Sequence, residues 1–174
     1  MIVIPIVITP SSIRVGSVGR TVWVKVDGRG TFQNSPGVKE FVSQMIRRGH
    51  REFVVDLGGC ELMDSTFMGT LAGIALRLRE IGQGELKAVN ANARNSGLLE
   101  NLGLDQLFSV EQGPAEQAPE SLQEAEGSGD EDAKGTVLAA HEALIEADAH
   151  NAVKFKDVVE YLRQELEQDN RKDD

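Results

Sequence analysis

Apolar positions along the first two thirds of the chain recur with two periods in turn, two residues and then three to four, and that alternation predicts an α/β domain. Ile2 to Ile8 and Val15 to Val26 are rich in valine and isoleucine, and in TVWVKVDG the side chains of Val22, Val24 and Val26 alternate with Trp23 and Lys25. Both runs read as strands, with Asp27, Gly28 and Gly30 marking a turn after the second. Val38, Phe41, Val42, Met45 and Ile46 then follow at helical spacing, predicting a helix capped by Asn34 or Ser35, with Pro36 in its first turn and an end near Gly49. Glu52 to Gly59, EFVVDLGG, reads as a buried central strand. Phe67, Leu71, Ile74, Ala75 and Leu78 restore the helical period up to about Ile81, just before Gly82. Glu85 to Asn90 is a further strand, Ala93 to Leu102 a helix closed by Gly103, and Leu104 to Val110 a segment returning along the sheet.

Both periods stop at residue 111. Residues 111 to 136, EQGPAEQAPESLQEAEGSGDEDAKGT, mix Gly, Pro, Ser, Gln and acid with almost no large apolar side chain, a composition that predicts a flexible linker. Beyond it, Leu138, Leu144 and Ile145 mark one short amphipathic helix, and Phe155, Val158, Val159, Leu162 and Leu166 a second. The expected organisation is therefore a domain over 1–110, an acidic linker over 111–136 and a helical extension over 137–174. The narrow apolar stripes of the extension must pack on the domain, on each other or on another chain.

Charge follows the same division. The net charge is −10, yet residues 1–110 carry 12 Lys and Arg against 10 Asp and Glu, so the acidity belongs to the linker and tail. Without an extended basic face, direct nucleic-acid binding is not expected. The apolar start MIVIPIVITP is interrupted by Pro5 and Pro10, falls short of the roughly 20 residues of a membrane span, and has no basic leader or cleavage pattern. A cytoplasmic protein is expected. Cys60 is the single cysteine, which excludes an internal disulfide, and it reads as a small buried residue at a strand end. His50, His141 and His150 are scattered without ligand spacing, so no metal site is expected.

Candidate chemistry concentrates in MDSTFMGTLAGI, residues 63–74, where Asp64, Ser65 and Thr66 stand between a buried strand and a helix. In open α/β sheets ligands collect at such junctions, and the free amides of a helix start favour negative charge. Three readings are open: Asp64 or Ser65 as a plain helix cap, Ser65 as a nucleophile, or a hydroxyl that accepts a phosphoryl group. The nucleophile finds no G-x-S-x-G turn, and no histidine stands in a suggestive sequence relation to Ser65. A phosphoryl acceptor needs no base of its own when a separate kinase supplies one. Thr66, Gly69, Thr70, Gly73 and Arg77, spaced by three and four, form a stripe of small side chains leading to a cation, suited to close approach by a partner or by a neighbouring element of the same chain.

The run FVVDLGGCELMDSTFMGTLAGIALRL, Phe53 to Leu78, resembles the core signature of STAS domains, and in particular of bacterial anti-sigma factor antagonists. The resemblance extends over about residues 12–110, through VKVDGRGTFQNSPGVKEF and NARNSGLLENLGLDQLF, and leaves out the linker and tail. It implies a mixed β-sheet with helices packed mainly on one face, no enzymatic activity and no cofactor. By position, Ser65 would be the serine phosphorylated by a cognate anti-sigma factor, a GHKL-type kinase using ATP and Mg, with Thr66 as second choice and Asp64 as the acidic neighbour. The unphosphorylated form of such a protein binds the kinase and frees a sigma factor, phosphorylation abolishes that binding, and a phosphatase restores it. The partner surface would comprise Arg29, Thr31 and Gln33 of the loop together with Asp64, Ser65, Thr66, Gly69, Thr70, Gly73 and Arg77. Two positions depart from the family pattern: Phe67 replaces the first glycine of the motif, while Gly69 keeps the second, and Thr31 stands where an acidic residue is common. Phe67 leaves two alternatives, a ring beside the hydroxyl that alters kinase access or a ring turned into the core. Two other functions remain open: a scaffold or assembly module whose C-terminal helices join copies or recruit another partner, and a ligand-sensing domain.

Overall fold

The computed structural model describes residue 3 and residues 11–113, 116–125 and 132–173. The strand expected over Ile2 to Ile8 lies outside them, apart from Val3, which is exposed and in no strand. The run Val15 to Val26 is two strands. β1 (Ser12–Val18) and β2 (Thr21–Gly30) form an antiparallel hairpin in which Val18 faces Thr21. The two-residue turn between them places Gly19 at φ +61°, a conformation that glycine adopts without strain and that matches the strand twist. The turn expected at Asp27 to Gly30 is instead the end of β2, which continues beside Gly59–Met63 through two register shifts. β3 (Glu52–Met63) accordingly runs past Gly59, and Cys60 lies within it, not at its end.

Three parallel crossovers follow. α1 (Ser35–Arg47) leads to β3, α2 (Ser65–Ile81) to β4 (Glu85–Val89), and α3 (Ala93–Asn101) with a short 3-10 turn (Leu104–Gln106) to β5 (Ser109–Val110). β2 to β5 are mutually parallel and are laid down side by side, in the order β5-β4-β3-β2-β1-β6. Each step moves one strand in the same direction, and buried residues of all three helices share one core, so the helices fall on one face. There Val22, Val24 and Val26, Phe53, Val55 and Leu57 meet Val38 and Val42 of α1 and Phe67, Leu71 and Leu78 of α2 in a common core.

The opposite face carries the main departure from the linker expectation. Gln123–Glu124 form β6, antiparallel to β1, and Leu122 packs with Trp23, Val54 and Val89 on that face. The buried carboxylate of Asp56 accepts from the amides of Gly58 (2.9 Å) and Ala118 (3.0 Å) and from Asn90 Nδ2 (3.1 Å). One leucine and one buried acid tie residues 116–125 to the sheet, so that part of the segment 111–136 is structured. The apolar gain at Leu122 and the charge-assisted bonds at Asp56 offset the ordering entropy that composition alone left uncompensated.

The tail is a helical hairpin, α4 (Ala133–Ala147) and α5 (Asn151–Lys172). Lys134 pairs with Glu165 and Asp169 across it, and Arg163 with Glu142. Leu144 is fully buried in the domain core, and Asn151 Nδ2 donates to the carbonyls of Leu102 (2.9 Å) and Leu144 (2.7 Å). Among the described residues no helix is long and apolar enough to cross a membrane.

Candidate functional site

The C-terminal ends of β2 and β3 bring two segments together. β2 runs into the loop Thr31–Asn34, and β3 runs into Asp64, which caps α2. Asp64 uses both carboxylate oxygens: Oδ1 accepts from the amide of Phe67 (2.8 Å) and Oδ2 from the amide of Phe32 (2.8 Å). One side chain thereby caps the helix and fixes the loop to it. Asn34 shapes the same loop, accepting from the Thr31 amide (2.8 Å) and donating to the Arg29 carbonyl (2.8 Å), and so does not cap α1 through its side chain. The sequence pattern missed one member of this surface, Phe32, which is 47% exposed at the loop tip.

Ser65 is the first residue of α2 and is half-buried, whereas Thr66 is buried. The Ser65 hydroxyl lies 2.9 Å from Nε2 of His141, a residue of α4 separated from it by 76 positions. His141 Nδ1 lies 2.7 Å from the Val137 carbonyl, which can only accept, so Nδ1 carries a proton and in the neutral imidazole Nε2 accepts from the serine. The ring stands edge-on to Phe155 at 5.0 Å. A histidine partner for Ser65 therefore exists, contrary to the sequence expectation. Nothing local to the MDST turn could reveal it, because the contact depends on how the tail folds back.

α4 also covers the small-residue stripe. A Cβ at Gly69 would stand 2.6 Å from the carbonyl carbon and 2.9 Å from the Cβ of Ala140, and one at Gly73 would stand 3.8 Å from the Cβ of Ala143. Thr66 and Thr70 are buried beside them, with Thr70 Oγ1 donating to the Thr66 carbonyl (2.9 Å). Of the two occupants that sequence left open for this stripe, the neighbouring element of the same chain is the one present. Arg77 stays exposed at the end of α2 near Ser43 Oγ (3.3 Å), beside a cleft of about 130 Å³ between α1, α2 and α4. Arg29 and Gln33 are exposed on the loop and Thr31 is half-buried.

Phe67 is turned inward and wholly buried. Its ring occupies the space beside Gly30, where a Cβ would lie 2.6 Å from Cδ1. Of the two alternatives for the ring, the core position holds, and the Ser65 hydroxyl is not screened by it. Cys60 is buried, and desolvation pushes its thiol above the ordinary range, against lesser opposing effects of hydrogen bonding with Gly30, Leu62 and Asn95. Among the described residues no group of three or more His, Cys, Asp or Glu side chains is placed to hold a metal ion.

This sheet, with three helices on one face and a serine opening the helix after its central strand, is the arrangement of a STAS domain. Residues 13–110 match the family described as "Mlab, STAS domain", more than half of the chain, and the protein belongs to that family. Among solved structures it is similar to a putative anti-sigma factor antagonist from Thermotoga maritima (18% identity, TM-score 0.53), with 59% of this chain covering 87% of that one. It is likewise similar to the anti-sigma factor antagonist SpoIIAA in its unphosphorylated form (16% identity, TM-score 0.51), with 60% of this chain covering 90% of that one. At these identities the likeness is one of fold. No curated protein matches the chain.

Proposed function

We propose that this protein is a non-enzymatic, phosphorylation-controlled binding switch of the anti-sigma factor antagonist type. Its partner is a GHKL-type serine-kinase anti-sigma factor, engaged through Arg29, Thr31, Gln33, Asp64, Ser65 and the start of α2. The observation that carries the reading is the double capping by Asp64, which joins the loop to the helix start that Ser65 opens. The burial of Thr66 favours Ser65 over it as acceptor. The kinase transfers the γ-phosphoryl group of its ATP to Ser65 Oγ, with the hydroxyl proton leaving to the kinase's base and ADP released. The added charge of about −1.5 to −2 is tolerated by the helix dipole and resisted by Asp64, and it changes what docks without unfolding the domain. A phosphatase reverses the state, and the setting is the bacterial cytoplasm.

Incubation of the chain with the cognate kinase and Mg·ATP, followed by peptide mass spectrometry, is expected to place one phosphate on Ser65. Absence of phosphate there, together with unchanged partner binding by Ser65→Asp, would remove the switch. The assembly reading keeps one specific support, the exposure of Val153 (85%) and Tyr161 (59%) on α5. Light scattering decides it: a mass near twice the 18.9 kDa of one chain would establish self-association.

A further inference from the structure

The stripe on α2 and the hydroxyl of Ser65 are both in contact with α4, although α4 lies outside the family domain. The solved relatives are covered at 87% and 90% by about three fifths of this chain, and the family match ends at residue 110, so the sheet and its three helices form a complete STAS fold without the hairpin. Yet α4 occupies the α2 face at backbone contact distance, with Ala140 over Gly69 and Ala143 over Gly73. Small residues facing small residues permit this approach and give few dispersion contacts per residue. The larger anchors are Leu144 and Phe155, and the polar ones are Ser65 to His141 and Asn151 to the Leu102 carbonyl.

We propose that the α4–α5 hairpin is an intramolecular cap, which occupies the face of α2 that the partner uses and must swing away before the partner or kinase reaches Ser65. The inference rests on the functional reading above for the identity of that partner. Its physical basis is exclusion. Phosphorylation of Ser65 Oγ would remove the proton it shares with His141 Nε2, a kinase cannot reach that hydroxyl while α4 lies against it, and a partner cannot approach Gly69 while Ala140 covers it. If the open state is about 1% of the population, partner affinity falls about a hundredfold relative to an uncapped domain. Partner binding and phosphorylation each favour the open state, because both need the space that α4 fills.

Two full-length variants test the cap. Ala140→Arg places a long side chain against Gly69 and is expected to open it. In a Ser65→Cys background, N-ethylmaleimide should label residue 65 at least tenfold faster when Ala140→Arg is present, with the unsubstituted chain giving the Cys60 background. Gly73→Cys with Ala143→Cys can form a bridge, since the Cβ separation of 3.8 Å is suitable. The oxidised chain should be phosphorylated by the cognate kinase at least tenfold more slowly than the same chain reduced. Equal labelling with and without Ala140→Arg, or equal phosphorylation of the oxidised and reduced bridge, would overturn the cap. A kinase that modifies none of these chains would count against the functional reading, while the labelling rates would still decide the cap. If Ala140→Arg fails to fold, the bridged variant alone decides it.

Discussion

Single residues decide what the MDST turn can do. Phe67 breaks the glycine pattern of the family, and its sequence position could not reveal where the ring goes. The answer depends on Gly30, 37 positions earlier, whose missing side chain makes room for it. The two form a pair, so Phe67→Ala should leave a cavity and lower stability by about 3–5 kcal/mol, measured by urea unfolding. A loss below about 1 kcal/mol would place the ring outside the core. Asp64 was legible as a cap, and its second bond to the Phe32 amide was not, because that bond needs the loop and the helix to meet. Asp64→Ala should therefore cost more than an ordinary cap of about 1 kcal/mol, toward 2 kcal/mol or more, and should mobilise residues 31–34 in hydrogen exchange. For Cys60, burial and a raised thiol pKa predict little reaction with N-ethylmaleimide at neutral pH in the folded chain and rapid reaction in urea. Rapid labelling under native conditions would contradict its placement.

At the scale of elements, helix periodicity located α1, α2 and α3 closely because each has a continuous apolar face and a clear stop, Gly82 closing α2 in the left-handed conformation. The strands were less legible. β1 and β2 share one composition and are separated only by the Gly19 turn, and β3 continues through two glycines that look like a terminus. The structured part of the linker was hidden for another reason: its attachment rests on Leu122 and on Asp56, and the second belongs to a distant strand. Gly69 and Gly73 each weaken an isolated helix by about 1 kcal/mol, a cost that makes sense beneath α4. Gly69→Ala is accordingly expected to strengthen α2 and to displace the hairpin, raising amide exchange in α4 at least tenfold while the amides of β3 stay protected. Unchanged exchange in α4 would mean that the two helices can separate slightly without loss.

At the scale of the molecule, the chain is a STAS domain with its own C-terminal hairpin folded onto the helix that follows the central strand. The division into a near-neutral domain and an acidic remainder was visible in the charges, and so was the family. The mutual placement of domain and tail was not, since no periodicity links His141 to Ser65. That placement decides which of the expected contact residues a partner can reach at once, namely Arg29, Gln33 and Asp64, and which wait beneath α4, namely Ser65, Thr66, Gly69 and Thr70. The central claim is that the charge state of Ser65 governs docking on this surface. Isothermal titration of the cognate serine-kinase anti-sigma factor with the unmodified chain and with the chain phosphorylated on Ser65 tests it most directly. Measurable binding by the unmodified chain and at least a hundredfold weaker binding after phosphorylation are expected. Equal affinities for the two forms would contradict it.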